Sequence, residues 1–144
     1  MSLVVDASVA LKWFLSEEPH ASQALAVVQS GATLIAPDFV IAEVCNAAWR
    51  SARLGRISQA QVNEIAAILP RFFDAFVSAA GLAPRAVAIA RQIDHPVYDC
   101  LYLALAEAEQ ASVVTADMRL LEKVRAISWE QRTVALSEYD PSDG

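Results

Sequence analysis

The sequence predicts an α/β protein with a parallel sheet that carries helices on both of its faces. Short apolar segments, typical of buried strands, alternate along the chain with longer segments that have helical start and stop signals. Two of the apolar segments, 3–5 and 112–115, lead almost directly into an aspartate. The length of 144 residues fits one domain, which we assign to 1–136, followed by an acidic tail over 137–144.

The first half of the chain has clear boundaries for two strands and four helices. Ser8 can cap the first helix, and Gly31 closes the second. Gly55 stops the third helix, while Ser58 caps the fourth and Pro70 ends it. In chain order we predict a strand, two helices, a strand and two helices over 3–5, 9–15, 20–29, 33–36, 37–54 and 59–69.

The second half continues the alternation of strands with helices. Gly81 ends a short strand, and Pro84 starts a helix because proline is favoured in a first helical turn. Pro96 has the corresponding place at the start of the following helix. We predict, in order, a strand, two helices, a strand, a helix and a strand over 76–80, 84–93, 97–110, 112–115, 118–126 and 133–136.

Composition restricts the possible functions. With 56% hydrophobic and 19% charged residues, the chain can bury a core, and the slightly high apolar share indicates an interface. No apolar run approaches the ~20 residues of a membrane span, and we expect a cytoplasmic protein without membrane association. The net charge of −6 argues against a general nucleic-acid-binding surface, which is usually basic. The two histidines and two cysteines have no zinc-site spacing, so we expect the cysteines to be buried free thiols.

Two aspartates follow predicted strands. Asp6 comes directly after the first strand, and Asp117 lies just past the strand over 112–115. Sites in open α/β sheets form at the carboxyl ends of strands, so these two carboxylates can converge. Either residue taken alone is equally compatible with a turn or a helix cap.

Two further acids lie inside apolar helical segments. Glu43 is the one acid within an otherwise nearly apolar stretch, and a buried carboxylate is costly unless it is paired or bound to a metal. The alternative is that Glu43 shares a thin solvent-facing stripe with Arg50. Asp99 lies in the first turn of its predicted helix, where it can instead complement the helix dipole.

Taken together, Asp6, Glu43, Asp99 and Asp117 predict a cation site. Clustered carboxylates repel one another and need a cation to share a site. Oxygen ligands without Cys or His suit a hard cation, Mg²⁺ or Mn²⁺. Such ions can activate a water molecule and stabilise charge on a phosphodiester. The sequence has no evident Ser/His/Asp set and no Gly-rich phosphate loop.

The chain resembles the PIN-domain ribonucleases, and specifically the VapC toxins of bacterial toxin–antitoxin pairs. The matching stretches follow the family's order along most of the chain and read VVDASVALKWF, APDFVIAEVCNAAWR, HPVYDCLYLALAE and VVTADMRLLE. The first and third of these stretches are the most specific. The resemblance implies a three-layer α/β/α sandwich with a central parallel sheet.

The resemblance also implies a set of functional residues and partners. The family's conserved acids fall on Asp6, Glu43, Asp99 and Asp117, with none missing. The implied activity is cleavage of single-stranded or looped RNA with Mg²⁺ or Mn²⁺, in a homodimer that a VapB antitoxin silences. The charge of −6 is compatible with this activity, because the metal supplies positive charge where the RNA is cut.

Several polar residues are candidates for supporting roles. The family's supporting hydroxyls match Ser8 and Thr115, which can hydrogen-bond a metal ligand or water; a helix cap and a strand residue are the alternatives. Lys12, Arg50 and Arg53 can hold RNA phosphates near the site, although exposed cations are usually only solvated.

Three alternative functions remain open. A PIN nuclease that matures or surveys RNA, without a toxin role, would have the same acids. A phospho-acceptor domain of receiver or dehalogenase type also places an aspartate after its first strand. A receiver needs adjacent acids there and a dehalogenase needs Asp-x-Asp, whereas this chain has Asp6-Ala7-Ser8. A catalytically dead binding module would be favoured by loss of one acid, and none is lost.

Overall fold

Five parallel strands form one sheet in the computed structural model, which describes residues 1–127 and 129–143. The predicted α/β class, with helices in layers on both sides of a central parallel sheet, is confirmed. The strands are β1 (Ser2–Val5), β2 (Thr33–Pro37), β3 (Ala75–Val77), β4 (Ser112–Thr115) and β5 (Thr133–Ala135). The α helices in this part of the chain are α1 (Ala7–Ala10), α2 (Ala21–Gln29), α3 (Val40–Arg53), α4 (Gln59–Ile68), α5 (Ala79–Ile93), α6 (Val97–Glu109) and α7 (Met118–Arg125).

The order of strands in the sheet, β3-β2-β1-β4-β5, determines where a site can form. The chain builds outward from β1 through β2 to β3, and then returns to the other side of β1 to place β4. Because the strand order reverses between β1 and β4, their carboxyl ends are the place where open α/β sheets usually bind ligands. Val4 pairs with Val113 in this central ladder, and both are fully buried. Asp6 and Asp117 follow these two strands.

The start of α1 differs from the prediction. Ser8 was expected to cap a helix over 9–15, but Asp6 is the N-cap, because its Oδ1 accepts the Val9 N–H at 3.2 Å. The helix therefore begins at Ala7 and continues only as a 3₁₀ turn over Leu11–Trp13. The Ser8 hydroxyl is released for another contact, described below.

The start of α5 was also predicted wrongly. Ser78 caps the helix by accepting the Ala80 N–H at 3.3 Å, so α5 begins at Ala79 and the preceding strand stops at Val77 instead of 80. Pro84 lies inside the helix, where it omits one backbone hydrogen bond instead of starting the helix. The longer helix keeps a continuous buried face, formed by Leu82, Ala86, Ile89 and Ile93.

The C-terminal segment begins at the core. Leu136 is 1% exposed, and Tyr139 packs partly against the core cluster. Single 3₁₀ turns occupy Leu136–Glu138 and Pro141–Asp143, and Gly144 of the predicted tail lies outside the described residues. The division into a domain over 1–136 and a tail stays a prediction. Within 1–127 and 129–143, no helix has the length and apolarity needed to cross a membrane.

Candidate active site

Asp6 is the buried centre of a hydrogen-bond network at the end of β1. Its side chain accepts from Ser8 Oγ at 2.5 Å and from the Thr115 hydroxyl. Asp6 is 4% exposed. Burial raises the pKa of its carboxyl from 3.8 to about 7; the hydrogen bonds from Ser8, Thr115 and Val9 oppose this rise, and the charge of Asp99 adds to it.

Ser8 and Thr115 connect the ends of β1 and β4 through this carboxylate. Ser8 Oγ accepts the Ala116 N–H at 2.9 Å, and Thr115 Oγ1 accepts the Asp117 N–H at 3.0 Å. Because each hydroxyl accepts a backbone N–H, its own hydrogen is available to donate to Asp6. The structure thus brings both predicted supporting hydroxyls to the same acid.

Glu43 projects from the first turn of α3, and its partner is a residue that the sequence analysis missed. Tyr102 of α6 donates its hydroxyl to Glu43 Oε1 at 2.7 Å. Burial raises the pKa of Glu43; the hydrogen bond lowers it, and the charges of Asp99 and Asp117 raise it. Glu43 is half-buried and bonded to Tyr102, so it is not simply a solvated surface acid, whereas Arg50, two turns further along α3, is exposed. The sequence feature that could have indicated Tyr102 is its position in an apolar helix, because the hydroxyl of a buried tyrosine usually has a hydrogen-bond partner.

Asp99, Asp117 and His95 form the other side of the site. One potential ligand atom from each lies within 4.8 Å of the other two. His95 Nε2 is 2.6 Å from Asp99 Oδ2, a contact that the sequence analysis did not predict. Asp117 does cap α7, because its Oδ1 accepts the Arg119 N–H at 2.9 Å. The sequence feature that could have indicated this contact is the spacing of four residues between His95 and Asp99, which brings side chains together along a helix.

The four predicted acids converge. Burial raises the pKa of Asp99 first of all, and the nearby Asp117 raises it further, whereas His95 lowers it. Asp99 in turn raises the pKa values of both Asp6 and Glu43. These charge effects indicate that the four carboxylates are neighbours. Among the described residues, the group with ligand atoms within 4.8 Å of one another holds Asp99, Asp117 and His95, and Asp6 and Glu43 lie outside it.

Of the three predicted RNA-binding cations, Arg50 and Arg53 lie apart from Glu43 along α3, and Lys12 is paired with Glu18. Lys12 Nζ is 3.9 Å from Glu18 Oε2, and its side chain is largely buried. Arg50 and Arg53 are exposed near the end of α3, about 10 and 15 Å along the helix axis from Glu43. The Arg53 guanidinium lies over the Trp49 ring, 5.0 Å from its centroid. Among the described residues, no ion pair joins these cations to the four acids.

The fold and the site define an α/β protein with a cluster of acids at the switch point of a parallel sheet. A family model described as PIN domain matches residues 3–126, and the chain belongs to this family. It is 34% identical over 129 residues to "Ribonuclease VapC3" of Pyrobaculum aerophilum, an alignment that covers 88% of this chain and 98% of that protein. The resemblance to PIN-domain VapC proteins is thereby confirmed.

A solved structure supports the same architecture. The crystal structure of PAE2754 from Pyrobaculum aerophilum superposes with a TM-score of 0.72, covering 95% of this chain and 85% of that one. The sequence identity is 23%, so this likeness establishes the fold alone.

Proposed function

We propose that this chain is a metal-dependent endoribonuclease, a hydrolase that cuts RNA phosphodiester bonds with water. The observation that carries the proposal is the convergence of Asp6, Glu43, Asp99 and Asp117, with burial and mutual repulsion raising the pKa of the first three. The family membership and the printed name of the VapC3 relative support a nuclease over a phospho-acceptor.

The donor set fits a hard divalent cation. Four carboxylates that disfavour one another's charge gain most from Mg²⁺ or Mn²⁺, which prefer oxygen ligands. Asp6, Glu43, Asp99 and Asp117 would hold the ion. When bound, it supplies the positive charge that activates a water and stabilises a phosphodiester under attack.

The surrounding residues orient the acids for this chemistry. Ser8 and Thr115 hold both oxygens of Asp6, so the carboxylate is fixed before any ligand arrives. Tyr102 donates to Oε1 of Glu43, which leaves Oε2 as the oxygen that would face the ion. Arg50 and Arg53 would bind RNA phosphates at some distance from the acids. Lys12, which is paired with Glu18, would bind them more weakly.

We further propose that the nuclease is the toxin of a toxin–antitoxin pair in the cytoplasm, acts as a homodimer and is silenced by a VapB-type antitoxin. The name of the VapC3 relative supports this role. So do two exposed apolar residues beside the acids: Tyr98, next to Asp99, is 67% exposed, and Met118, next to Asp117, is 66% exposed. An antitoxin segment that covered them would also block the acids. An RNA-processing PIN nuclease without an antitoxin is the second candidate.

Purified protein is expected to cleave RNA in Mg²⁺ or Mn²⁺ and to stop in EDTA, because the acids alone offer no positive charge to the phosphate. The measurement is incubation with a panel of structured RNAs, followed by mapping of the cut sites. Discrete cuts in single-stranded or looped segments are the expected result. Equal cleavage in EDTA would place the activity in another site or a contaminant.

Expression from its native operon is expected to yield a complex with a small second protein, and expression of the nuclease alone to arrest growth. Masking of Tyr98 and Met118 provides the physical reason, since burial of exposed apolar surface stabilises a complex. Affinity purification and growth curves measure the two effects. Normal growth without a partner, despite RNA cleavage in vitro, would favour the RNA-processing alternative.

A further inference from the structure

We propose that His95 is a positioning residue that holds Asp99 in the orientation needed to bind the metal. This inference rests on the proposed metal-dependent site and adds a member that the four acids do not include. The sequence analysis included only acids and hydroxyls in the metal site, whereas the structure brings the imidazole of His95 into hydrogen-bond contact with Asp99.

The backbone holds His95 firmly in place. Its N–H donates to the Ala90 carbonyl at 3.2 Å, just after α5 ends in the left-handed residue Asp94. Pro96 then begins α6, which brings Asp99 one turn above the imidazole. The His95 side chain is 8% exposed, against 24% for Asp99. The imidazole therefore has a defined place behind the carboxylate and little freedom to leave it.

The distance between the two side chains indicates a strong hydrogen bond. His95 Nε2 and Asp99 Oδ2 are 2.6 Å apart. This distance matches a strong N–H···O contact, and an ionised carboxylate can only accept. His95 thus donates to Oδ2, and Oδ1 is left for the ion.

Asp99 is the acid for which such support matters most. One of its ligand atoms lies within 4.8 Å of a ligand atom of Asp117 and of His95, and its charge also raises the pKa values of Asp6 and Glu43. A carboxylate that can rotate freely points at a metal only part of the time, whereas one held by a second-layer donor is oriented beforehand. His95 plays the part for Asp99 that Ser8 and Thr115 play for Asp6.

The test compares Mn²⁺ affinity in His95→Leu and His95→Gln with that of the parent protein at one pH. Free Mn²⁺ is followed by electron paramagnetic resonance during titration of EDTA-treated protein. Leucine removes the donor, and we expect affinity to fall about 10–100-fold. Glutamine places an N–H near the position of Nε2, and it should restore affinity to within about threefold of the parent. His20→Gln removes the other, exposed histidine and should change nothing.

Melting temperatures in EDTA verify that each variant is folded, and the spectrum of bound Mn²⁺ separates the two roles. We expect no nitrogen coupling to Mn²⁺ in the parent, because the imidazole binds Asp99 and not the ion. A nitrogen coupling that disappears in His95→Leu would overturn the proposal by making His95 a ligand. Unchanged affinity in a folded His95→Leu would also overturn it, while leaving the nuclease proposal intact. A parent that binds no Mn²⁺ and cleaves no RNA would instead refute the metal-dependent site and this inference together.

Discussion

Replacement of Asp6 or Asp99 by asparagine is expected to lower the rate of RNA cleavage by about 100-fold or more. Each change preserves the side-chain shape but removes one negative charge from the set that would hold the cation. In Asp6→Asn, an amide group also faces either Ser8 or Thr115, whose hydroxyls both donate to the native carboxylate. The measurement is the single-turnover cleavage rate in Mn²⁺, with circular dichroism to verify the fold.

Asp94→Asn is the matched control for these variants. Asp94 is exposed and has a φ of 52°, a backbone conformation that asparagine tolerates well. Asp94 lies next to His95 in the sequence but is not one of the four clustered acids. Parental rates are expected for this variant. Parental rates in Asp6→Asn or Asp99→Asn as well would mean that RNA is cut elsewhere on the protein.

The metal-free protein is expected to lose stability as the pH rises from about 4 to about 7. Folding raises the pKa of Asp6 from 3.8 to about 7, so in this range the folded state binds a proton that the unfolded state has released. The free energy of unfolding therefore falls with rising pH and levels off above about 7. The difference between the two pKa values corresponds to about 4 kcal/mol. Glu43 and Asp99, whose pKa values burial also raises, act in the same direction.

Asp6→Asn isolates the contribution of this one carboxyl. The variant has no charge at position 6 at any pH, so its stability relative to the parent should improve by about 2 kcal/mol between about pH 5.5 and about pH 8. Urea unfolding in EDTA at the two pH values measures the change. At the higher pH, Mg²⁺ should stabilise the parent and have a smaller effect on the variant. If the difference in unfolding free energy between variant and parent does not change with pH, ionisation of Asp6 does not destabilise the folded protein.

The strands and the four acids were predictable because the signals for them are local. An apolar run that ends in an aspartate marks β1 with Asp6 and β4 with Asp117, and Glu43 and Asp99 stand out as charges in apolar helices. The family motifs then linked the four residues. No local signal placed β1 beside β4, because that pairing depends on the packing of the whole sheet.

The errors share a physical cause, which is competition between neighbouring groups. Ser8 and Asp6 could both cap α1, and the choice followed from Ser8 being needed between Asp6 and Ala116. Pro84 favours the first turn of a helix, but the cap at Ser78 starts α5 earlier and leaves the proline in the second turn.

Partners distant in sequence were missed for a related reason. Tyr102 meets Glu43 across 59 residues of chain, a contact that neither local sequence encodes. His95 was closer to its partner Asp99, but the intervening Pro96 marked a break between elements and concealed the spacing of one helical turn.

The most direct test of the account is a crystal structure of the protein grown with Mn²⁺, with the ion located by its anomalous scattering. The account predicts a peak among the carboxylates of Asp6, Glu43, Asp99 and Asp117, with His95 still hydrogen-bonded to Asp99. A well-occupied peak at other acids, with these four carboxylates empty at saturating Mn²⁺, would contradict it.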